Sequence, residues 1–384
     1  MRSQKRLSIF INNLSHGGAQ KIASVLAKEL SQEFEIYLVL LTSNIVYDIP
    51  DNIKIEVLSK GKKRNLLDKL MSVHRYYSFC KENNIDVSLS LLTQPNYIAA
   101  LTKVLGSKTK VVLSEHTYQS LWRANERQYA RVKKIIIRYL YNKADKVITV
   151  SNKIRLDLMD NYGIKKERLV TIFNPYPIKK INDLSKSGFE NLTKSKSFNF
   201  ITVGTLYHVK NQELLLRSFA KLKERDAHLT IVGDGELREH LTQLSQQLGL
   251  DDKVNFVGFT DNPFKYLGAS DVFVLSSNNE GLPNVIIEAL ACECPVISTD
   301  CISGPREILA PQTPIDFQLE NSIEHAEFGV LVPIKNEVLM AKAMEMLMEN
   351  KALFLKYKEM AFDRALYFDS KNSITSYIKN LHLS

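Results

Sequence analysis

The sequence predicts an α/β protein built from two doubly wound domains, and three observations carry that prediction. A chain of 384 residues is long for a single hydrophobic core, so two domains are expected. Short apolar runs alternate with amphipathic stretches through both halves, the pattern of βαβ units whose parallel strands are buried on both faces. A polar, lysine-rich stretch at 179–197 then interrupts the alternation, preceded by Asn174-Pro175-Tyr176-Pro177, whose prolines stiffen the exit. The expected organisation is a first domain at 1–178, a linker at 179–197, a second domain at 198–360, and a C-terminal helical segment at 361–384 that returns to the first domain.

In chain order, strands are expected at 7–12, 36–41, 53–58, 87–92, 111–114, 147–150 and 170–173, with helices among them at 19–30, 66–81, 97–105, 129–141 and 154–161. The second half is expected to have strands at 198–203, 229–232, 254–256, 271–275, 296–298 and 330–333. Its helices are expected at 212–223, 237–248, 284–292, 306–309 and 337–350, followed by an amphipathic helical tail at 353–383. The acidic, irregular stretch 311–328 reads as a surface excursion. In doubly wound sheets ligands bind beyond the carboxyl ends of the strands, so with two such domains the expected site is a cleft between them.

Hydrophobic content of 45% and charged content of 24% are ordinary for a globular protein. No apolar run reaches about 18 residues, so no membrane-spanning helix is expected, and the first 20 residues lack a secretory signal. Cys80, Cys292, Cys294 and Cys301 have neither zinc nor redox spacing and read as reduced thiols of a cytosolic protein. The net charge of +9 points to an anionic partner: a membrane surface, a phosphorylated small molecule or nucleic acid.

The loops after the strands carry the chemistry. Ser276 to Asp300 form a strand, loop, helix, strand unit, with Glu280 and Gly281 in the loop, Pro283 at the helix start and Glu288 about one and a half turns in. A helix N-terminus of this kind seats phosphate, and the two carboxylates can reach the two ends of a phosphate-bearing ligand. After the first strand, Gly17 and Gly18 either let a ligand approach the backbone or make a plain tight turn. Gly204 and Lys210 follow the first strand of the second half; Lys210 can neutralise a phosphate or simply be a solvated lysine at a helix start. His116 ends a first-domain strand and is either a cleft residue or a satisfied histidine. No Asp-x-Asp pair, His/Glu metal cluster, Walker loop or Gly-x-Gly-x-x-Gly fingerprint is present, so neither a divalent metal nor a nicotinamide dinucleotide is demanded.

On the Glu-x7-Glu element Glu280 to Glu288, the run Cys294-Pro295-Val296-Ile297-Ser298-Thr299-Asp300 and the turn Ser303-Gly304-Pro305-Arg306-Glu307-Ile308, the whole chain resembles the retaining, nucleotide-sugar-dependent glycosyltransferases of family 4 type, a group related to sucrose synthase and to bacterial cell-surface glycan transferases. The resemblance implies a GT-B fold, two Rossmann-like domains facing across a cleft. It implies catalytic roles for His116, Glu280 and Lys210: Glu280 binds hydroxyls of the donor sugar, Lys210 neutralises the diphosphate, and His116 lies near the donor sugar and the acceptor. The remaining donor-binding residues it implies are Gly17, Gly18, Gly204, Thr205, Gly281, Leu282, Pro283 and Asn284 around the diphosphate, Val257, Gly258 and Phe259 against the base, and Glu288 on the ribose. Two positions depart from the family. Thr205 stands where an arginine is usual, with Arg306 a candidate substitute, and Gln20 replaces a glutamate.

The implied reaction moves a hexose or N-acetylhexosamine from a UDP-sugar to a lipid-linked or surface-polysaccharide glycan, without a metal or other cofactor. The implied setting is a bacterial cytoplasm, at the inner face of the membrane. Lys62, Lys63 and Arg64, and the segment 127–146 in which cations alternate with apolar groups, suggest contact with anionic lipid; a core-packed helix with a solvated basic face explains the second equally well. Rival readings are an epimerase or phosphorylase of the same fold and a basic nucleic-acid-binding protein. The scattered lysines and the absence of a recognition module weigh against the last, so no nucleic-acid partner is expected.

Overall fold

The computed structural model describes residues 4–15, 17–59, 66–121, 130–187, 197–222 and 224–382. The chain divides into two compact units, Met1–Pro175 with Ser370–Ser384, and Tyr176–Asp369. His16, the Lys62-Lys63-Arg64 cluster and residues 127–129 of the basic segment lie outside the described residues.

The first unit holds strands β1 (Arg6–Ile11), β2 (Glu35–Leu40), β3 (Lys54–Val57), β4 (Val87–Leu91), β5 (Lys110–Glu115), β6 (Lys146–Thr149) and β7 (Leu169–Thr171). They form one parallel sheet in the order β3-β2-β1-β4-β5-β6-β7. The helices are α1 (Gly18–Leu30), α2 (Leu66–Glu82), α3 (Thr93–Val104), α4 (Ala130–Tyr141) and α5 (Asn152–Leu156); α5 runs on into a turn of π-helix at Asp157–Asn161. The central strands are almost wholly buried, which is why they read as continuous apolar runs.

The second unit begins with α6 (Ile178–Lys186). Its strands are β8 (Phe198–Val203), β9 (Ala227–Val232), β10 (Val254–Gly258), β11 (Val272–Leu275), β12 (Val296–Thr299), β13 (Glu324–His325) and β14 (Val330–Val332), in the order β10-β9-β8-β11-β12-β14-β13. All pairs are parallel except β13 with β14. The helices are α7 (Gln212–Ala220), α8 (Arg238–Gln247), α9 (Phe264–Ala269), α10 (Asn284–Ala291), α11 (Pro305–Leu309), α12 (Glu337–Glu349) and α13 (Lys351–Leu366). Phe200, Phe219, Leu229, Val274 and Met344 meet in its core, fully enclosed, and burial of each such side chain stabilises the fold by about 1.5–3 kcal/mol. The last helix, α14 (Ser370–Leu381), belongs to the first unit.

The alternation seen in the sequence is thus the alternation of the fold, and the differences have local causes. The lysine-rich stretch read as a linker opens with α6. Ile178, Ile181, Asn182 and Ser185 recur at helical spacing and are buried, and the lysines between them hide that face. Asn182 Nδ2 donates to Ala291 O at 2.9 Å and to Glu293 Oε1 at 3.1 Å; residues 188–196 lie outside the described residues. The tail expected as one helix is two, because residues 367–369 leave the helical path and Tyr176 pairs with Asp369. The excursion at 311–328 includes β13, too short to show a period. Helix α9 was missed for the same reason.

Each sheet reverses its winding once, between β1 and β4 in the first unit and between β8 and β11 in the second. There the two following loops diverge to opposite faces of the sheet and leave a crevice at the carboxyl ends of the strands.

Candidate active site

In the second unit the crevice is bounded by the loops after β8 and β11, and one ion pair spans it. Lys210, from the β8 loop, donates through Nζ to Glu280 Oε1, from the β11 loop, at 2.7 Å. Ser277 Oγ donates to the same oxygen at 2.7 Å. The side chains are 26% and 11% exposed, so bulk solvent and salt screen the pair less than a surface one. The loops are stitched together beneath it. Asn278 N donates to Val209 O at 2.8 Å, Ser276 Oγ to Lys210 O at 2.9 Å, and Asn211 Nδ2 to Asn278 Oδ1 at 3.1 Å. Asn211 takes the left-handed conformation and caps α7 by accepting from Leu214 N, which turns the chain sharply after Lys210.

A second clamp holds the Glu280 loop from the far side. Glu280 N donates to Ile302 O and Ser303 N to Glu280 O, each at 2.8 Å, and Ser303 Oγ donates to Gly281 O. Gly304 has φ +102°, and a Cβ there would lie 2.5 Å from Pro283 Cδ. The Ser303-Gly304 turn is therefore a cradle for residues 280–283, which explains why those two residue types are needed. Pro283 caps α10, whose first residue, Asn284, accepts from Tyr176 OH at 2.6 Å. Leu282 is buried, and Glu288 lies buried in α10 at 7% exposure. A cation, a carboxylate and a helix N-terminus are thus collected at the crevice, a set suited to a diphosphate with a polar group attached.

Beside them the ends of β8, β9 and β10 are bare backbone. Gly204 N donates to Val232 O and Gly233 N to Gly258 O, each at 2.9 Å. Gly233, at φ +133°, has no room for a side chain: a Cβ would lie 2.0 Å from Gly204 O. Val257 and Gly258 end β10, and the Phe259 ring is 55% exposed. Arg238 Nη2 donates to Phe256 O at 3.3 Å, which sets a guanidinium beside Gly258. Thr205 is exposed and its carbonyl accepts from Gln212 Nε2 at 3.1 Å. Arg306 is not available to replace the missing arginine there. Its Nε and Nη2 donate to Asp300 at 3.1 and 2.6 Å, Nη2 also to Glu324 at 2.9 Å, and Nη1 to Thr313 at 2.8 Å.

Gly204, Thr205, Lys210, Val257, Gly258, Phe259, Glu280, Gly281, Leu282 and Pro283 thus lie at or just after the carboxyl ends of β8, β10 and β11, with Asn284 and Glu288 in the following helix α10, all in one unit. Gly17, Gly18 and His116 lie in the other, at the carboxyl ends of β1 and β5. Gly17 caps α1 in extended conformation, with its carbonyl accepting from Tyr47 OH at 3.2 Å. A Cβ on Gly17 would lie 2.3 Å from Gln20 Oε1, so the close Gly-Gly turn and Gln20 are packed together. His116 Nε2 is paired with Ser114 Oγ at 3.0 Å, and burial lowers the ring pKa to about 4, so it is neutral at physiological pH. Three residues that hold these groups escaped the sequence as site residues, Ser277, Tyr176 and Glu115, and Ser303 was legible only as part of a turn. The Ser303-Gly304 pair marks a turn in the sequence, but nothing there says what the turn supports.

Two mostly parallel, doubly wound units, one with a cation, an acid and a helix N-terminus at its switch point, define a two-domain α/β architecture with a phosphate-type binding crevice. The profile of the Glycosyl transferases group 1 matches residues 185–364 and that of Glycosyltransferase Family 4 matches residues 16–180. The chain is 33% identical over 369 residues to a Campylobacter jejuni N-acetylgalactosamine-N,N'-diacetylbacillosaminyl-diphospho-undecaprenol 4-alpha-N-acetylgalactosaminyltransferase, covering 95% of this chain and 96% of the relative. It is 31% identical over 356 residues to an uncharacterised glycosyltransferase of Methanocaldococcus jannaschii, covering 84% and 86% of the two chains. The fold matches Anabaena HepE in complex with UDP-glucose (TM-score 0.77, 18% identity, 98% and 99% coverage) and Thermosynechococcus elongatus sucrose-phosphate synthase (TM-score 0.80, 16% identity, 98% of each chain). The chain belongs to the glycosyltransferases, with a family 4 domain followed by a group 1 domain, and has the GT-B fold.

The Arg306 network makes a prediction about stability. Arg306 and Asp300 are 5% and 2% exposed, and removing one partner leaves a buried charge uncompensated. Arg306→Ala is expected to cost about 3–5 kcal/mol in urea denaturation; an unchanged denaturation midpoint would show that the network does not hold the fold.

Proposed function

We propose that this glycosyltransferase moves a hexose or N-acetylhexosamine from a UDP-sugar to a lipid-linked or surface-polysaccharide glycan, with retention of anomeric configuration and without a metal. The observation that carries the reading is the Lys210–Glu280 pair at the switch point of the second unit. A departing nucleoside diphosphate gathers negative charge on its bridging oxygen. Lys210 and the N-terminus of α10 supply countercharge in place, without reorganisation at the moment of reaction. Glu280 accepts from hydroxyls of the donor sugar, Glu288 from the ribose, and the bare ends of β8 to β10 admit the base. Retention follows from front-face attack with the leaving phosphate oxygen taking the acceptor proton, so no protein nucleophile is assigned. The donor class is supported by the solved structure of HepE with UDP-glucose, and the acceptor class by the C. jejuni relative, named for an undecaprenol diphosphate saccharide.

The acceptor reading extends to the surface of the first unit. Val132, Ile135, Ile136 and Tyr139 of α4 are all exposed and fall at i, i+3, i+4 and i+7, one apolar stripe. Exposed Arg131, Lys134, Arg138 and Lys143 accompany it. A stripe of this kind among cations suits the interface of an anionic bilayer, and among the described residues no helix is long and apolar enough to cross one.

Two measurements check the donor site. Lys210→Ala is expected to lower turnover by about 10²- to 10³-fold, while Glu288→Ala weakens UDP binding by about ten- to a hundredfold through loss of a charged hydrogen bond. A screen of UDP-sugars by thermal shift and UDP release identifies the donor, and turnover is expected to survive EDTA. Wild-type kinetics in both variants would sink the assignment. For α4, co-sedimentation with phosphatidylglycerol vesicles is expected to weaken with salt and with Ile135→Asp; no binding at low salt would refute it.

A further inference from the structure

Glu115 is the last residue of β5, directly before His116, and its side chain is fully buried. Its carboxyl Oε1 accepts from the backbone N–H of His116 at 3.1 Å and of Thr117 at 3.0 Å. Tyr141 of α4 donates to Oε2 at 2.6 Å, and Gln119 lies within reach of the same carboxyl. The ring of connections continues outward. Asn96 of α3 donates to Ser114 O at 3.0 Å and to Tyr141 at 3.4 Å, while Gln119 donates to Thr93 Oγ1 at 3.1 Å. The far end of the same loop is tied down by Asp157, which accepts from Ser120 N at 3.1 Å.

The titratable groups around Glu115 are Tyr141 from α4, Tyr97 from α3 and His116 from the loop itself. Burial raises both tyrosines and lowers His116, so all three are neutral through the physiological range. Among the described residues, the groups that donate to this carboxyl are therefore uncharged. A buried carboxylate supported only by neutral donors costs stability, and burial raises Glu115 from 4.5 to about 7. A group with a raised native pKa stabilises the fold in acid, and that contribution declines as pH rises from about 4.5 to about 7. Above about 7 the ionised form is a net cost. What the ionised form gains is local: as an acceptor only, it holds the two amides and the phenol at once, and those amides belong to the residues that carry His116.

We propose that Glu115 is a positioning residue for the transfer reaction, its ionised carboxylate fixing the loop that presents His116. The inference rests on the reading of His116 as a residue of the transfer site. Protonation at Oε2, where the Tyr141 hydroxyl can accept as well as donate, leaves Oε1 a neutral and weaker acceptor, so the bonds from the His116 and Thr117 amides lose their charge assistance as the pH falls below about 7. The cost of holding the carboxylate is offset by the rest of the first unit, a division between local strain and global stability common at functional sites.

The test compares Glu115→Gln, Tyr141→Phe and His116→Ala with the wild type. Turnover of UDP-N-acetylgalactosamine by UDP release is followed from about pH 5.5 to about pH 9, and hydrogen exchange of the 113–120 backbone is measured without substrate. Glu115→Gln is expected to lower kcat about ten- to a hundredfold with little change in KM. It abolishes the acid limb near pH 7 and the pH dependence of the protection factors, taken against the intrinsic exchange rate at each pH, and it raises Tm at high pH because the buried charge is gone. Tyr141→Phe removes one donor and moves the acid limb up by about 1–2 pH units. A Glu115→Gln protein that loses Tm at every pH, or exchanges with the wild-type pH dependence, overturns the proposal. Slow His116→Ala with wild-type kinetics in Glu115→Gln refutes the positioning role alone. Wild-type kinetics in His116→Ala refutes the reading of His116 itself, and the inference with it.

Discussion

Every βαβ step in this molecule returns the chain to the same edge of its sheet. A parallel strand cannot be joined to its neighbour by a tight turn, so each such connection crosses over and each parallel strand delivers its carboxyl end, and the loop after it, to one side; the two-residue β13, antiparallel to β14, runs the other way. Among the described residues each sheet reverses its winding once, and at that switch point two such loops part to opposite faces. Lys210 and Glu280 are 70 residues apart in the chain, yet the order β8-β11 sets their loops side by side. The rest of the candidate site is arranged around that adjacency.

The loops are held by backbone and by small polar side chains, while the charged groups are kept for the crevice. Ser276, Asn278 and Asn211 tie one side of the Glu280 loop to the Lys210 loop, and Ser303 ties the other side to the turn before α11. Arg306 is held differently. It is spent inside the unit on Asp300, Glu324 and Thr313, with its guanidinium also 5.0 Å from the Phe317 ring. The charged Ser303-Gly304-Pro305-Arg306 turn therefore contributes its glycine and serine to the site and its arginine to the fold. The first unit repeats the logic with a buried acid: Glu115 holds backbone amides while His116 lies next to it.

Much of this was legible in the residues. The two-unit α/β architecture followed from alternating apolar runs, because strands buried on both faces have no polar face to break the run. Glu280, Glu288 and Lys210 were legible as candidates only together with the family resemblance of the Glu-x7-Glu element, since by itself Lys210 reads equally as a solvated lysine at a helix start. What could not be read were residues whose role depends on a distant partner. The lysines of α6 hid a buried face that packs on α9 and α10, and Tyr176 gave no sign of its bond to Asn284 across 108 positions. Glu115 looked like any acid beside a histidine, since nothing in Ser-Glu-His-Thr reveals that Tyr141 closes over it.

The sequence by itself determined the period of every long element, the residue types at the strand ends and the family to which the chain belongs, because those are properties of neighbours along the chain. Only the tertiary structure decided that Lys210 is paired with Glu280, that Arg306 is committed to Asp300 and is not the substitute for the arginine usual at position 205, and that Gly233 must lack a side chain because Gly204 O lies against it. Each of those facts depends on the order in which strands come to lie beside one another. That order is set by packing over the whole sheet and leaves no local trace in the residues it brings together.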